Sequence, residues 1–314
     1  MAGSSSKQLR SAFVPETVPG TIDATPAFRM MHTPALFDGT SVRYHQLSLV
    51  SGGRPIGDTL LDNKVVGSIA KTPLTYGHYD VWFESMFQSS FVSNVLSDDF
   101  QRKTLSIENS IPAGIGGTNT MMRWRGVEAT DGTLEVDANG VVYTTFSLRG
   151  MANQDTVTTA IAGATYAAPA NNDPFSSQGD FPSFTIAGYT LDAVAHIKVD
   201  FAYDGREDQP QVGTSTLAGI TRGGFIPKIT VKLYTDTNFA ALRDIARQQS
   251  QSTVKVTINL GSVTGKKYKM EFWTCYIDMS ALDFSNPTTF LNVVLSPAFS
   301  TSNGCIMTMT RALV

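Results

Sequence analysis

Three short segments come closest to a catalytic or ligand-binding motif. Gly261–Lys266 reads Gly-Ser-Val-Thr-Gly-Lys, but a phosphate-binding P-loop has four residues between its glycines, and Lys267 stands where that loop needs a magnesium-binding Ser or Thr. Ser4–Lys7 matches the SxxK letters of penicillin-binding enzymes without their partner motifs. No helix that could bind phosphate follows the glycines of Ile115–Gly117. We therefore expect Gly261–Lys266 to be a turn between strands, Ser4–Lys7 to belong to the N-terminal tail, and Ile115–Gly117 to be a loop.

The residues able to bind metals or act as nucleophiles are scattered along the chain. The four histidines stand alone, which predicts structural roles for His32, His45, His78 and His196. Cys275 and Cys305 belong to no CxxC motif; two free thiols are favoured, and a disulfide between them stays open. The acidic cluster Asp204–Asp208 lacks calcium-loop spacing and indicates a solvated or inter-subunit loop. The sequence thus predicts no catalytic site, no metal and no cofactor, and the protein is not expected to be an enzyme.

The composition limits the classes of function. The 314 residues are 42% apolar, enough to build a core, and 24 basic against 27 acidic residues exclude a broadly cationic nucleic-acid binder. Only 16% of residues are charged, below the roughly 25% of typical globular proteins, which indicates a subunit largely covered by partners. The N-terminus has no apolar segment like that of a secretory signal, and no run approaches the length of a membrane span. We expect a soluble chain made in the cytoplasm.

Alternation of apolar and polar residues dominates the chain and predicts antiparallel strands with one polar face. The clearest examples are His196–Tyr203, Lys228–Leu233 and Val254–Leu260; weaker ones are Ser41–Val50, Val65–Tyr76, Lys103–Glu108, Met121–Glu128 and Val141–Arg149. Helical spacing occurs in Asp80–Leu96 and in Asn238–Gln249, where Asp236 or Thr237 is a credible N-cap.

The order of strand, helix and strands occurs twice, with Trp124 aligned to Trp273 and Phe146 to Leu295. This order predicts a tandem duplication, although two β-rich halves can also align loosely by chance. The predicted fold is mainly β (α+β), with two tandem β-sandwich domains, each flanked by one helix. The expected boundaries are an extended N-terminal arm at 1–29, domains at 30–159 and 184–314, and a linker at 160–183.

Two distinctive motifs lie in the first part of the chain. The first is Phe13-Val-Pro-Glu-Thr-Val-Pro-Gly-Thr21, and the second is Tyr76-Gly-His-Tyr-Asp80 leading into the aromatic helix that begins Val81-Trp-Phe-Glu. Both resemble motifs of the major tail tube proteins of long-tailed, siphovirus-like bacteriophages. The resemblance is sharpest over residues 11–96. It implies a structural virion protein of the tail, whose rings stack into a tube that conducts DNA into the host. The implied partners are further copies of the chain, the tape measure protein, the tail terminator and passing DNA.

Candidate contact residues follow from the arm and from two long Gly/Pro-containing segments, Ser51–Asn63 and Asp204–Gly224, both predicted as loops that contact neighbouring subunits. The candidates in these loops are Arg54, Asp58, Asp204, Arg206, Glu207 and Asp208, and those in the arm are Phe13, Pro15 and Glu16. The arm is expected to become ordered only on assembly.

Symmetry and charge give further expectations. A duplicated chain favours trimeric rings with pseudo-sixfold symmetry, and a single-unit chain would need hexameric rings. A conduit must let DNA slide, so we expect a neutral to acidic lumen, with Lys228 and Lys232 paired or facing outward. A capsid shell or decoration protein and a carbohydrate-binding tail protein are the alternative functions.

Overall fold

The computed structural model describes residues 9–37, 42–51, 54–61, 65–112, 118–191, 193–212, 214, 216–234, 239–247, 253–279 and 290–313. The described part of the chain is mainly β, with 24 strands and two helices, which confirms the mainly β prediction. The helices are α1 (Asp80–Phe87) and α2 (Phe239–Arg247).

The strands in chain order are β1 (Arg10–Pro15), β2 (Ala27–Met30), β3 (Ala35–Phe37), β4 (Val42–Ser51), β5 (Arg54–Leu61), β6 (Val65–Pro73), β7 (Val95–Ser97), β8 (Leu105–Ile111), β9 (Thr120–Asp137), β10 (Tyr143–Gly150), β11 (Ala152–Val157), β12 (Thr165–Ala167), β13 (Ser183–Ile186), β14 (Tyr189–Thr190), β15 (Val194–Phe201), β16 (Tyr203–Asp204), β17 (Asp208–Pro210), β18 (Leu217–Ile220), β19 (Gly224–Phe225), β20 (Lys228–Tyr234), β21 (Val254–Leu260), β22 (Tyr268–Met279), β23 (Phe290–Ala298) and β24 (Met307–Arg311). Each predicted strand segment overlaps one of these strands, and in β15, β20 and β21 the alternating apolar side chains are buried.

The same antiparallel strand order occurs in both halves of the chain. It is β3-β6-β10-β9-β8-β1 in the first half and β15-β20-β23-β22-β21-β13 in the second. Both halves carry an irregularity at the same place, between Leu105 and Ile107 in β8 and between Val254 and Val256 in β21.

These matching irregularities fix which residues correspond. Trp124 pairs with Ile107, and Phe272 pairs with Val256, so the counterpart of Trp124 is Phe272. The predicted alignment of Trp124 with Trp273 is therefore wrong by one residue.

The two halves share a sheet and a core. β9 pairs with β15, and β24 pairs with β7. One cluster of buried apolar side chains extends from Phe13 to Met309. The predicted linker 160–183 contains β12, which pairs in parallel with β2. The boundary between two domains remains a prediction.

Helix α1 is shorter than the predicted Asp80–Leu96. Gln88 adopts the left-handed conformation (φ 51°), and its N–H donates to the carbonyl of Glu84, which ends the helix. Trp82 and Phe83 of α1 are fully buried, and burying each such side chain contributes about 1.5–3 kcal/mol. Helix α2 agrees with the second prediction over Phe239–Arg247, and its predicted N-cap residues lie outside the described part of the chain.

The prediction of a free N-terminal arm at 1–29 is wrong for residues 10–15. These residues form β1, which pairs with β8 along its whole length. Phe13 is 1% exposed, and its ring contacts that of Trp82 at 5.3 Å between centroids. The buried run Ser11–Val14 supplies the core contacts that a mobile arm would lack.

The prediction of two long loops is also wrong. Arg54–Leu61 is strand β5, which pairs with β4 in a hairpin, and Asp204–Gly224 holds β17 and β18, which pair with each other. The Gly and Pro residues that suggested loops lie within or beside these strands. The turn predicted at Gly261–Lys266 is confirmed between β21 and β22. Gly261 has φ +98°, and a Cβ there would lie 2.6 Å from the Lys266 carbonyl oxygen, so this turn requires glycine.

Candidate assembly surfaces

One face of the sheet formed by β6, β10, β9, β15, β20, β23 and β22 is buried, and the opposite face is partly open. On the buried face, Ile197 and Val231 are fully buried, and Phe146 packs edge-on against Phe83 of α1 at 5.4 Å. Their neighbours Lys198 and Thr230 point to the other side and are partly exposed. We call this second, polar side the open sheet face.

Opposite charges lie close together on the open sheet face. Lys71, Lys198, Lys228 and Lys232 lie on β6, β15 and β20, and Glu135, Asp137 and Asp200 lie on the neighbouring strands β9 and β15. The strand register places Glu135 opposite Lys198 and Asp200 opposite Lys228. Opposite charges facing each other across strands stabilise the pairing.

Several of these charges form close ion pairs. Lys71 binds Glu135, and this hydrogen bond raises the pKa of the lysine. Lys198 lies 2.8 Å from Asp200, and His196 Nδ1 lies 2.6 Å from Asp137. An anionic polymer gains affinity when free cations neutralise its phosphates. Because many cations here already have acidic neighbours, the open sheet face is suited to weak contact with such a polymer.

Two long hairpins extend from this sheet. The first hairpin is β4–β5, whose ten-residue strand β4 spans about 33 Å. Among the described strands, β4 and β5 pair only with each other. The second hairpin comprises residues 203–225 and continues the β15–β20 ladder in the same register, since Val199 faces Ile229 and Asp208 faces Ile220.

The two hairpins share a sequence pattern. Gln46 faces Gly57 in the first hairpin, and Gln209 faces Gly219 in the second. An arginine lies three residues before each glutamine, and a threonine lies two residues after each glycine; these are Arg43 and Arg206, and Thr59 and Thr221. Matched pairing and matched residues make the two hairpins counterparts in the repeated strand order.

The second hairpin folds onto the first half of its own chain, and Arg206 anchors it there. This arginine is 7% exposed. Its Nη1 donates to the carbonyl of Ala129 and its Nε to the carbonyl of Arg222, both at 2.9 Å. The guanidinium lies 4.0 Å from the centre of the Tyr203 ring. Burial lowers the pKa of Arg206, and the nearby tyrosine and acidic groups offset part of that effect.

Further contacts tie the second hairpin down. Asp208 lies 3.3 Å from Arg149, and the Leu217 N–H donates to the Met151 carbonyl at 2.9 Å. Phe225 packs against Phe87 with ring centroids 5.6 Å apart. The hairpin thus covers the end of α1 and the neighbouring part of β9 and β10.

The sequence-predicted contact residues fall into two groups. The contacts of Arg206 and Asp208 described above lie within the chain, whereas Asp204 and Glu207 of the same hairpin are exposed. Arg54 and Asp58 lie on β5. The inter-subunit role of these residues remains a prediction.

The arm candidates also make contacts within the chain. Phe13 is buried, and Pro15 is exposed at the end of β1. The Glu16 carboxylate accepts hydrogen bonds from the N–H groups of Gly20 (2.7 Å) and Gly126 (2.8 Å). Glu16 therefore fixes the chain leaving β1 against β9, a role that the motif alone did not predict.

Two polar clusters were not predicted from the sequence. His78 is 6% exposed, and its pKa is lowered to about 4 by burial and by the nearby His32 and Arg29. At the start of α1, the buried Asp80 carboxylate accepts hydrogen bonds from Tyr268 and Arg311. The second cluster joins α1 to β22 and β24 across more than 180 residues of chain, a separation over which a local motif carries no signal.

The cysteines and the potential metal ligands show no arrangement for chemistry. Cys275 and Cys305 are both free and buried, which confirms the favoured prediction. Burial raises the pKa of Cys275 to about 12 and that of Cys305 to about 11, so neither is a reactive thiolate. Within the described residues, no group of three potential metal ligands lies together.

Comparison with protein families identifies a match over most of the chain. The model of a family described as phage tail tube protein matches residues 6–288. No curated protein matches the chain.

Proposed function

Because the chain belongs to the phage tail tube protein family, we propose that it polymerises into stacked rings that form the tube of a long-tailed, siphovirus-like phage. The protein is a structural component of the virion tail and not an enzyme. The proposed tube conducts DNA into the host during ejection. The main structural support is the strand order that occurs twice within one chain, because it provides two similar units for ring building.

The preferred ring contains three chains with pseudo-sixfold symmetry. Each chain would contribute two units of the same strand order, joined within the chain by the pairing of β9 with β15. A head-to-tail contact between chains closes into a ring when its rotation divides evenly. Six chains per ring is the alternative, and it treats the whole chain as one unit.

The open sheet face is the proposed lining of the lumen. Its lysines have carboxylates on the same or the neighbouring strand, so much of their charge would be neutralised before the phosphates of passing DNA approach. The contact with DNA would be independent of sequence, because contacts with phosphates carry no direct information about the bases. Lys228 and Lys232 lie on β20 of this face, where the register sets them opposite Asp200 and His196.

The remaining partners are proposed from the family. The tape measure protein would occupy the tube before ejection, and the tail terminator would cap it. The subunits would be made in the cytoplasm of the bacterial host before assembly. None of the described helices is long and apolar enough to span a membrane.

Electron microscopy of the purified protein tests this proposal. We expect negative-stain images to show rings or hollow tubes of uniform diameter. Closed isometric particles would instead favour the capsid alternative. Protein that stays monomeric at high concentration, in the presence of a tail initiator complex as nucleus, would contradict the proposal.

A further inference from the structure

The second half of the chain exposes a surface whose counterpart in the first half is buried. The matching irregularities in β8 and β21 pair Leu105 with Val127 and Val254 with Cys275, which makes Val127 and Cys275 counterparts. One residue further along each strand, Glu128 is 1% exposed, whereas its counterpart Tyr276 is 51% exposed.

Two more pairs of counterparts differ in the same direction. Asp131 pairs with Ser147 and Asp278 pairs with Val294, so these two aspartates correspond; Asp131 is partly exposed, whereas Asp278 is exposed. Glu128 pairs with Arg149, and Tyr276 pairs with Ser296, so Ala152 and Phe299 also correspond. Ala152 is 6% exposed and Phe299 is 58% exposed. We call the surface made by Tyr276, Asp278 and Phe299 the uncovered surface.

In the first half, the second hairpin lies over the corresponding region. Arg206 binds the Ala129 carbonyl, between Glu128 and Thr130, and the Leu217 N–H binds the carbonyl of Met151, next to Ala152. The chain thus has two counterpart hairpins and two counterpart surfaces. Among the described residues, only the second hairpin lies on such a surface.

From this mismatch we infer that the first hairpin of one copy docks on the uncovered surface of the next copy. The inference rests on the proposed self-assembly and names the residues of its contact. A contact between a hairpin of one copy and a different surface of the next copy is head-to-tail, the kind that builds rings. Tyr276 and Phe299 are both exposed, and tyrosine is a residue type common among the anchors of protein interfaces.

The contact within the chain predicts the chemistry of the contact between copies. Arg43 is the counterpart of Arg206, and Ile277 is the counterpart of Ala129, so Arg43 is expected to donate to the Ile277 carbonyl of the neighbour. The hydrogen bond from the Leu217 N–H to the Met151 carbonyl has no equivalent between copies. Pro55 stands at the corresponding position of the first hairpin and has no N–H to donate. The aromatic side chains of the uncovered surface supply apolar contact that the first-half surface lacks.

Three variants and one control test the inference in the full-length protein. The surface variant carries Tyr276→Asp and Phe299→Asp, and the hairpin variant carries Arg43→Ala. A second hairpin variant replaces Val42–Leu61 with a short turn. The matched control is Val263→Asp, because Val263 is as exposed as Phe299 (58%) and lies in the turn between β21 and β22. Circular dichroism verifies that each variant is folded.

Sedimentation velocity and electron microscopy then measure assembly. We expect the surface variant and the short-turn variant to assemble at least about 100-fold more weakly than wild type. We expect Arg43→Ala to weaken assembly about 10-fold and Val263→Asp to assemble normally. Mixing the surface variant with the short-turn variant should give a 1:1 complex that does not grow, because only one intact hairpin and one intact surface remain.

A surface variant that assembles like wild type, or a mixture that forms no complex, would overturn the inference. Wild-type protein that fails to assemble in the same measurements would instead contradict the proposed function. The two failures are therefore distinguishable.

Discussion

Replacing Arg206 with alanine should destabilise the single subunit. The sequence predicted Arg206 as an inter-subunit residue, but its guanidinium is buried and bonded to the carbonyls of Ala129 and Arg222. A hydrogen bond from a charged group contributes about 1.5–3 kcal/mol, and the cation–π contact with Tyr203 adds about 1 kcal/mol. The cost of burying the charge offsets part of this sum. We expect Arg206→Ala to lower the free energy of unfolding by about 3–5 kcal/mol.

Urea unfolding of monomeric protein at low concentration measures this loss. With an m-value of about 3 kcal/mol per molar, the urea midpoint should fall by about 1–1.7 M. Arg243→Ala is the matched control, because Arg243 is exposed on α2 and its loss should change the free energy by less than about 0.5 kcal/mol. A loss below about 1 kcal/mol for Arg206→Ala, together with failed assembly, would refute this reasoning. That result would restore the inter-subunit role.

Three further predictions concern pH, the polar cluster at α1 and the open sheet face. Burial lowers the pKa of His78 from 6.5 to about 4, so the unfolded chain binds the proton more strongly. The free energy of unfolding should therefore fall as the pH drops below about 6.5. In urea unfolding at pH 5, wild type should lose about 2 kcal/mol more than the His78→Phe variant. Equal losses of stability in the two proteins would contradict this. Asp80→Asn should lower the free energy of unfolding by about 2–3 kcal/mol, because Arg311 loses its buried carboxylate partner; an unchanged urea midpoint would argue against this. Glu135→Lys with Asp137→Lys should make tubes retain duplex DNA at low salt and release it as salt rises; co-sedimentation equal to that of wild type would show that this face does not line the lumen.

Strands were predictable where alternation is regular. In β15, buried Ile197 and Val199 alternate with partly exposed His196 and Lys198, and a period of two identifies such a strand from its residue types. The hairpin strands β5 and β17 were missed because Pro and Gly interrupt the alternation, as in the Arg-Pro-Ile-Gly of β5. The shared spacing of Arg43, Gln46, Gly57 and Thr59 with their counterparts was the signal that could have found both hairpins.

Backbone conformation and long-range partners limited the other predictions. The end of α1 depends on the left-handed Gln88, and apolar spacing beyond it continues to suggest a helix. The sequence predicts an extended arm where β1 lies, because the partner strand β8 is about 95 residues further along the chain. Likewise, the burial of Arg206 depends on carbonyl groups of β9, whose position no local pattern encodes.

The mass of a single isolated ring tests the account of a duplicated tube subunit most directly. Rings released from tubes by mild denaturant can be weighed by native mass spectrometry. The account predicts three chains of 33.9 kDa, about 102 kDa in total, with two similar units from each chain around the ring. A ring of six chains, about 203 kDa, would contradict it.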